Sequence, residues 1–380
     1  MDFDFTTDQE MLRDTVRKWV SKAYTFEDRN AIIKAGGFSD LAWQAMSDLG
    51  LMGLAIPEEY GGMGLGQVDA MVVMEELGRG IVLEPYAHVA LIGAGLLRDH
   101  ATAAVKQTWL PSIANGSLKV VLAHIEYGSR YDLAFTEARA QAKEEGWLVS
   151  ARKSIVPLGD QVDAFIVPAT VLNGNAGGLG IGLFLVERHA VGVNTWGYSQ
   201  QDGSRVAELS INNVPATLLV SEALGLGALE HAVDMGIAAL CAEAVGAMDA
   251  LFALTVDYLN TRKQFGVAIG TFQALRHRIA DVKMQIELAR SMSYFATLKL
   301  GDDAATRRRA LSAAKVQLGN SLRFVGQQCI QMHGGIGVTQ EYAAGHYFKR
   351  LSCIELSFGD TLHHLGEVSA RMQDTAGVFS

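Results

Sequence analysis

The stretch YLNTRKQFG, residues 258–266, ends a helical pattern of apolar residues that is about thirty residues long. A second stretch, QMHGGIG at residues 331–337, stands at the end of another such pattern. Both place polar side chains beside glycines, where the backbone can approach a ligand closely. We interpret the pair as an arrangement that binds phosphate and amide groups at the ends of two long helices.

Arg262 is the central residue of the first stretch. Its guanidinium is planar and permanently charged, and beside flexible backbone at Gly266 it suits a pyrophosphate. Gln264 and Gln273 add amide donors and acceptors. A lone arginine in such a position more often caps a helix carbonyl, and glycines often simply end helices. The combination with residues 331–337 favours ligand binding.

The two stretches also carry a family resemblance. The order Arg-x-Gln-Phe-Gly at residues 262–266, and Gln-x-x-Gly-Gly-x-Gly at residues 331–337, resembles the acyl-CoA dehydrogenase family of flavoproteins. The stretch PEEYGGMG at residues 57–64 shares this resemblance. Within the family, MDFDFT at residues 1–6 and FGDTLHHL at residues 358–365 are most similar to the small subunit of pimeloyl-CoA dehydrogenases.

The resemblance implies a chemistry and a set of site residues. FAD would be the cofactor, an acyl-CoA thioester the substrate, and desaturation between its α and β carbons the reaction. Electron-transfer flavoprotein would accept the electrons, and the pathway would degrade fatty or dicarboxylic acids. The cofactor-binding residues implied are Arg262, Gln264, Phe265, Gln273, Gln331, His333, Gly334 and Gly335.

The pattern of apolar residues changes twice along the chain. Helical spacing prevails over residues 1–117, short alternating runs separated by Gly, Asn and Pro over 118–221, and helical spacing again over 222–380. We therefore predict an α+β fold with an N-terminal all-α domain, a middle antiparallel β-barrel and a C-terminal antiparallel helix bundle. The family resemblance implies the same architecture.

The individual elements follow from the same patterns. In the first segment we predict helices over residues 6–22, 41–49, 68–78, 84–97 and 103–110, with a glycine-rich loop over 57–66. In the middle segment we predict strands over 120–124, 138–142, 147–149, 164–167, 182–186 and 206–211, and an exposed loop over 173–180. In the last segment we predict long helices over 226–260, 272–299 and 306–333, and shorter ones from Glu341 and Asp360.

Composition argues against several classes of protein. A net charge of −9 disfavours a nucleic-acid surface, and the basic run at residues 307–309 is interpreted as a solvated face. Neither a secretory signal nor a run of eighteen apolar residues is expected. His363 and His364 lack metal-ligand spacing, so no metal is predicted. Three isolated cysteines predict buried thiols in a reducing, cytoplasmic compartment: Cys241, Cys329 and Cys353.

The catalytic base that the family implies is missing from its usual place. The resemblance implies a glutamate directly before a Gly-Thr pair, but here the stretch reads ELSFGD, residues 355–360. Phe358 stands at the base position and Asp360 at that of the threonine. The family's other base position maps to Gly236, which carries no carboxylate. Asp360 is the remaining catalytic candidate, and capping of the final helix is its alternative role.

The middle segment departs from the family as well. Members usually carry Thr-Glu-x-x-x-Gly-Ser-Asp and Trp-Ile-Thr, which line the flavin ring system. Here the matching stretches are IEYGSRYD at residues 125–132 and SIVP at residues 154–157. Pro157, at the position of the threonine, has neither a hydroxyl nor a backbone N–H to offer a flavin.

These departures predict a subunit rather than a self-sufficient enzyme. The chain would be the small subunit of a heteromeric acyl-CoA dehydrogenase, a heterotetramer in which a paralogous large subunit supplies the base. Three alternatives remain open. The chain could be a homo-oligomeric dehydrogenase that uses Asp360, a flavin oxidase or monooxygenase, or a non-catalytic assembly subunit.

Overall fold

A computed structural model of the chain describes residues 5–144, 146–172 and 180–372. The loop predicted over 173–180 therefore lies outside the described residues, apart from Gly180. Contacts in space between parts of the chain group it into two compact units. Unit 1 comprises Met1–Ala31, Gln67–Val82 and Ile237–Ser380, and unit 2 comprises Ile32–Gly66 and Leu83–Gly236.

The chain begins with helices, as predicted. They are α1 (Thr7–Ala23), α2 (Phe26–Lys34), α3 (Asp40–Asp48), α4 (Gln67–Arg79), α5 (Ala94–His100) and α6 (Ala103–Ala114). Helix α2 escaped prediction because the residue that it buries is a charged one, Arg29, so its sequence lacks an apolar stripe. The predicted loop over 57–66 contains one short 3-10 turn, Glu58–Tyr60.

One predicted helix, over residues 84–97, is wrong in its type and bounds. Residues Ala87–Gly93 form a π-helix, and α5 continues from Ala94 to His100. Apolar spacing does not reveal the extra residue that a π turn accommodates. Gly93 lies directly against the Val120 carbonyl, where no Cβ would fit, so the segment packs closely on the first strand.

Seven strands in unit 2 form one sheet. They are β1 (Val120–Leu122), β2 (Arg139–Lys143), β3 (Gly146–Pro157), β4 (Ala164–Leu172), β5 (Ile181–Glu187), β6 (Val193–Ser199) and β7 (Arg205–Val220). Successive pairings β4–β2–β3–β7–β5 return to β4, so five strands close a ring. Strand β1 adds to β4 and strand β6 adds to β7.

The strand pairing corrects one part of the prediction. Strands β1 and β2 both pair with β4 in parallel, so the barrel is mixed rather than wholly antiparallel. Alternation of apolar residues shows which face of a strand is buried, but it carries no information on strand direction. Strand β6 escaped prediction because most of its side chains are exposed, Trp196 and Tyr198 among them.

A buried ion pair lies beside strands β3 and β4. Lys153 Nζ is 2.5 Å from Glu126 Oε1 and 2.9 Å from the Pro168 carbonyl oxygen, and both charged side chains are almost fully buried. Glu126 also accepts hydrogen bonds from Thr136 Oγ1 and from the Glu137 N–H. Although burial alone would raise the pKa of Glu126, the Lys153 ammonium and these hydrogen bonds hold it below its usual value.

Unit 1 contains the predicted bundle. Its helices are α7 (Gly225–Thr261, which begins in unit 2), α8 (Gln273–Lys299), α9 (Ala304–His333), α10 (Ala343–Leu356) and α11 (Thr361–Met372). Helix α9 packs against α8, α10 and α11. The predicted order of helices, sheet and helix bundle is therefore confirmed. By length and composition α7 could cross a membrane, but 72% of its most apolar window is buried, which is typical of a core helix.

Two details of unit 1 differ from expectation. Arg307, predicted to be solvated, is buried, and its side chain reaches back past the start of α9 to donate Nη1 to the Asp302 carbonyl oxygen. Among the cysteines, Cys241 and Cys329 are buried as predicted, whereas Cys353 is only half-buried.

Helices α4 and α7 cross at very short range. A Cβ at Gly78 would overlap the Glu243 carbonyl oxygen, and a Cβ at Gly246 would overlap that of Glu75. Only glycine allows backbone to approach backbone this closely. The crossing thereby fixes α4 against the long core helix of unit 1.

We expect Gly246→Ala to lower the free energy of unfolding by about 3 kcal/mol, because the added methyl forces the two backbones apart. Urea denaturation of the purified protein measures this loss. Gly227→Ala on the same helix is the matched control, since nothing lies within 4 Å of its Cβ position. That variant should be unchanged or up to about 1 kcal/mol more stable. Equal effects of the two variants would contradict the close crossing.

Candidate functional site

The Arg262 segment forms a small hairpin at the end of α7. The Arg262 N–H donates to the Tyr258 carbonyl oxygen at 2.8 Å, which completes the last helical turn. Lys263–Gln264 (β8) then pairs antiparallel with Val267–Ala268 (β9). Phe265 and Gly266 form the turn with φ of +51° and +81°. A two-residue hairpin turn of type I′ requires positive φ at both of its central residues.

This hairpin presents its side chains to solvent. Arg262 and Gln264 are exposed, and Phe265 at the tip is 91% exposed. Its ring makes an edge contact with Phe272, at a centroid distance of 6.3 Å. Gln273, the first residue of α8, is exposed as well. The structure thus brings the four predicted residues of this segment to one surface hairpin and the helix start that follows it.

The second predicted stretch ends α9. His333 is the last helical residue, and Gly334 leaves the helix with φ +65° before a 3-10 turn, Gly334–Val338. Cβ atoms at Gly334 and Gly335 would meet nothing within 4 Å, so a ligand can reach this backbone. Gln331 is exposed one turn earlier.

His333 itself is buried. Its Nδ1–H donates to the Cys329 carbonyl oxygen at 2.8 Å, which leaves Nε2 as an acceptor. Nε2 is buried and has no hydrogen-bond partner among the described residues. Burial lowers the pKa of this imidazole, so the ring stays neutral. A buried acceptor of this kind marks a place where a donor from a ligand or a water would be stabilised.

Aromatic contacts hold the two stretches together. The rings of Tyr258 and His333 lie 4.7 Å apart, and those of His333 and Tyr342 5.1 Å apart. Tyr258 is one helical turn before Arg262, and His333 adjoins Gly334. The ends of α7 and α9 are therefore adjacent, with the predicted residues on either side of this aromatic cluster. Tyr258 stands in the first stretch identified from the sequence, where it was given no role, and sequence reasoning missed Tyr342.

The residues of this region fit the nucleotide part of FAD. An exposed guanidinium and an exposed amide at Arg262 and Gln264 can donate to phosphate oxygens. The open backbone at Gly334 and Gly335 admits a ligand at close range. In unit 2 the positions expected to line the flavin ring fit less well, since Ile155 is an exposed aliphatic residue and Pro157 has no N–H.

The turn between α10 and α11 contains the expected base position. Phe358 occupies it with a left-handed backbone, φ +56°. The Asp360 carboxylate accepts the His363 N–H at 2.8 Å, and its carbonyl accepts the His364 N–H. Asp360 thus caps α11, which is the alternative role foreseen for it. Its role as a base stays a prediction.

Hydrogen bonds from neighbouring side chains hold this turn in place. Glu355 Oε1 accepts from the Thr361 N–H, from Thr361 Oγ1 and from Arg323 Nη2. Buried Lys315 donates Nζ to the carbonyl oxygens of Ile354 and Glu355, and burial lowers its pKa to about 8. Both carboxylates of residues 355–360 are therefore engaged in local structure.

A buried histidine completes the support of the turn. His364 Nε2–H donates to the Phe358 carbonyl oxygen at 3.0 Å, and its Nδ1 accepts from Ser312 Oγ at 3.2 Å. Burial, together with the Lys315 ammonium, lowers the pKa of His364 to about 3. The ring is neutral at physiological pH, as these two hydrogen bonds require.

Comparison with known proteins agrees with the architecture. Residues 6–117 match the family model "Acyl-CoA dehydrogenase, N-terminal domain", and residues 224–373 match "Acyl-CoA dehydrogenase, C-terminal domain". Acyl-CoA dehydrogenase FadE12 of Mycobacterium tuberculosis is 30% identical over 88% of this chain and 88% of its own length. Probable acyl-CoA dehydrogenase YngJ of Bacillus subtilis is 28% identical over 94% of this chain and 96% of its own length.

A solved structure is similar over almost the whole chain. It is described as a variant of the Tcur3481-Tcur3483 steroid ACAD, with a TM-score of 0.88, 28% identity, and coverage of 97% of this chain and 99% of the other. The likeness spans the helices, the sheet and the bundle. The chain therefore belongs to the acyl-CoA dehydrogenase family, whose members use FAD.

Proposed function

We propose that this chain is the small subunit of a heteromeric acyl-CoA dehydrogenase, in which a paralogous subunit supplies the catalytic base. One observation carries the proposal. The chain presents an exposed surface at Arg262 and Gly334 that suits a nucleotide, while Phe358 stands where the base is expected and both nearby carboxylates are engaged locally. Such a surface can bind a cofactor, whereas neither carboxylate of residues 355–360 is placed to take the proton.

The chemistry explains why the missing base matters. Desaturation begins with removal of a proton from the carbon next to the thioester, which needs a carboxylate with a free lone pair in a dry site. Glu355 accepts from three donors, one of them the cationic Arg323. Asp360 is committed to the N-terminus of α11. Neither is arranged to accept a proton from a substrate.

In this proposal the residues of unit 1 bind and orient the cofactor. Arg262 and Gln264 would contact the phosphates, Phe265 would pack on the adenine end, and the open backbone at Gly334 and Gly335 would lie against the nucleotide. Bound FAD supplies the hydride acceptor. Since Pro157 has no N–H and the Ile155 side chain has no polar atom to offer a flavin ring, the ring would sit in the partner's barrel.

The surface of α8 supports a partner subunit. Four large apolar side chains on this helix are between 39% and 55% exposed, and their spacing places them on one face. They are Met284, Leu288, Phe295 and Leu298. The same face begins at Gln273, so it is continuous with the hairpin. A stripe of this kind on a long helix is typical of an interface with another protein.

Likeness to known proteins supports the proposed partner and substrate class. The description of the 28% identical structure names two components, Tcur3481 and Tcur3483, which favours a paralogous chain as the partner here. The similarity of residues 1–6 and 358–365 to pimeloyl-type small subunits favours a dicarboxylic or other bulky acyl chain. We further propose a cytoplasmic heterotetramer with electron-transfer flavoprotein as its electron acceptor.

Purified alone, the chain should contain little FAD and should not oxidise acyl-CoA, because the flavin ring and the base belong to the partner. Coexpression with the paralogous subunit should give a yellow complex that reduces a dye acceptor in the presence of acyl-CoA. Absorbance at the flavin band and dye reduction measure the two properties. Full activity of the lone chain with one FAD per chain would refute the division of labour.

Asp360→Asn separates capping from proton transfer, since asparagine caps a helix as well as aspartate does but cannot act as a base. We expect the activity of the complex to stay within about twofold of the wild type. A general base contributes about 100-fold or more, so a loss of that size with normal FAD content would favour the homo-oligomeric alternative. Steady-state kinetics with dye reduction decide between the two.

Arg262→Ala should lower the FAD content of the purified complex at least tenfold, because the variant loses the cation that meets the phosphates. The FAD content of Arg262→Lys should lie between those of the wild type and Arg262→Ala, since an ammonium keeps the charge but cannot donate two parallel hydrogen bonds. Arg309→Ala, which removes an exposed cation on α9, is the matched control and should keep full FAD content. An unchanged FAD content in Arg262→Ala would favour the non-catalytic assembly subunit.

A further inference from the structure

The segment that runs from the end of α7 into α8 carries an unbalanced positive charge. Residues 258–280 contain four lysine or arginine residues, one histidine and no aspartate or glutamate, in a chain whose net charge is −9. The basic residues are Arg262, Lys263, Arg276, His277 and Arg278. The proposed function uses only the first of them. A surface of one sign attracts a ligand or partner of the opposite sign.

Arg276 is anchored beside the end of α7, next to Arg262. The Ile269 N–H donates to the Arg262 carbonyl oxygen at 2.9 Å, and the carbonyl oxygen of the next residue, Gly270, accepts from Arg276 Nε at 2.9 Å. Gly270 itself packs closely on α7, since a Cβ there would lie 3.0 Å from the Leu259 carbonyl oxygen. The two arginines are therefore tied to adjacent residues of one short turn.

Both guanidinium groups keep donors for a ligand. In the part of the chain that the structure describes, Nε is the only side-chain nitrogen of Arg276 with a hydrogen bond, and the residue is exposed. Its Nη1 and Nη2 remain as a pair of donors that can make parallel hydrogen bonds to one phosphate. Arg262 is exposed too, and its guanidinium forms neither an ion pair nor a hydrogen bond with the described residues.

The stability of α8 does not explain the position of Arg276. It lies in the first turn of that helix, where the helix dipole disfavours a cation and no acidic residue balances it. The next acidic residue along the helix is Asp281, five positions further on. Side chains pair along a helix at separations of three and four residues, so Asp281 is not such a neighbour. An anion from outside this segment accounts for the position better.

We propose that Arg262 and Arg276 together bind an adenosine 5′-pyrophosphate, with one guanidinium at each phosphate. A pyrophosphate diester carries two negative charges, so Arg262 alone would leave one of them unbalanced. Gln273, three residues before Arg276 and on the same side of α8, can donate its amide to the adjoining ribose. This inference rests on the proposed function, in which the surface meets the nucleotide part of FAD. It makes the site specific for two linked phosphates rather than one.

ADP and AMP are the probes, titrated into the purified full-length chain in an isothermal calorimeter. We expect ADP to bind with a Kd of about 1 mM or tighter. AMP, which lacks the second phosphate, should bind about tenfold more weakly. Arg276→Ala should lower the affinity for ADP about tenfold and that for AMP by less than about twofold, because Arg262 still meets the remaining phosphate. The ratio of the two affinities is the readout, since a merely structural role in holding the turn would lower both.

Arg278→Ala is the matched control. It removes the same charge from the same helix, but two residues further along its side chain does not share a face with that of Arg276. Its ratio of ADP to AMP affinity should equal that of the wild type. The proposal would be overturned by an equal loss of both affinities in Arg276→Ala, by an equal change of the ratio in Arg278→Ala, or by the absence of saturable ADP binding.

Competition against ADP identifies the natural source of the pyrophosphate, because FAD and coenzyme A both contain this group. FAD should displace ADP at a lower concentration than coenzyme A does, as the proposed function requires. Displacement at a lower concentration by coenzyme A would support the pyrophosphate site at the two arginines but contradict its role in binding FAD. Failure of the arginine pair and failure of the proposed function are thus separate results.

Discussion

Ring contacts among Tyr258, His333 and Tyr342 join the ends of the two longest bundle helices, and the candidate cofactor site depends on them. The hairpin that carries Arg262 and the glycine turn after His333 are more than sixty residues apart in sequence. Because the rings pack between them, the Arg262 guanidinium, which can donate hydrogen bonds to a pyrophosphate, becomes a neighbour of the open backbone after His333. This packing leaves one buried acceptor, His333 Nε2, without a hydrogen-bond partner in the described part of the chain.

Much of the fold could be predicted from sequence because its helices are long and regularly patterned. The three long bundle helices deviate from their predicted ends by at most two residues. The parallel pairing of β4 could not be predicted, since the alternation of apolar and polar residues does not depend on strand direction. Nor could α2 and the π-helix Ala87–Gly93, where a buried charge and an extra residue break the expected spacing.

The candidate site shows the same limit. Motifs identify Arg262, Gln264 and the paired glycines because the two stretches occur together in the order that the flavoprotein family shows. Contacts between distant helices leave no local pattern, so Tyr342 gave no signal. The burial of Arg29 on α2 could not be predicted for a related reason: a charged residue in a sequence suggests an exposed position, and only coordinates show that it is buried.

In the proposed division of labour this chain binds the cofactor and another chain removes the proton. The most direct test is an experimental structure of the coexpressed complex with an acyl-CoA analogue bound. We expect Arg262 at the FAD phosphates and, beside the analogue's α carbon, a carboxylate that belongs to the partner subunit. A carboxylate of this chain in that position, above a flavin ring held by its own barrel, would contradict the division.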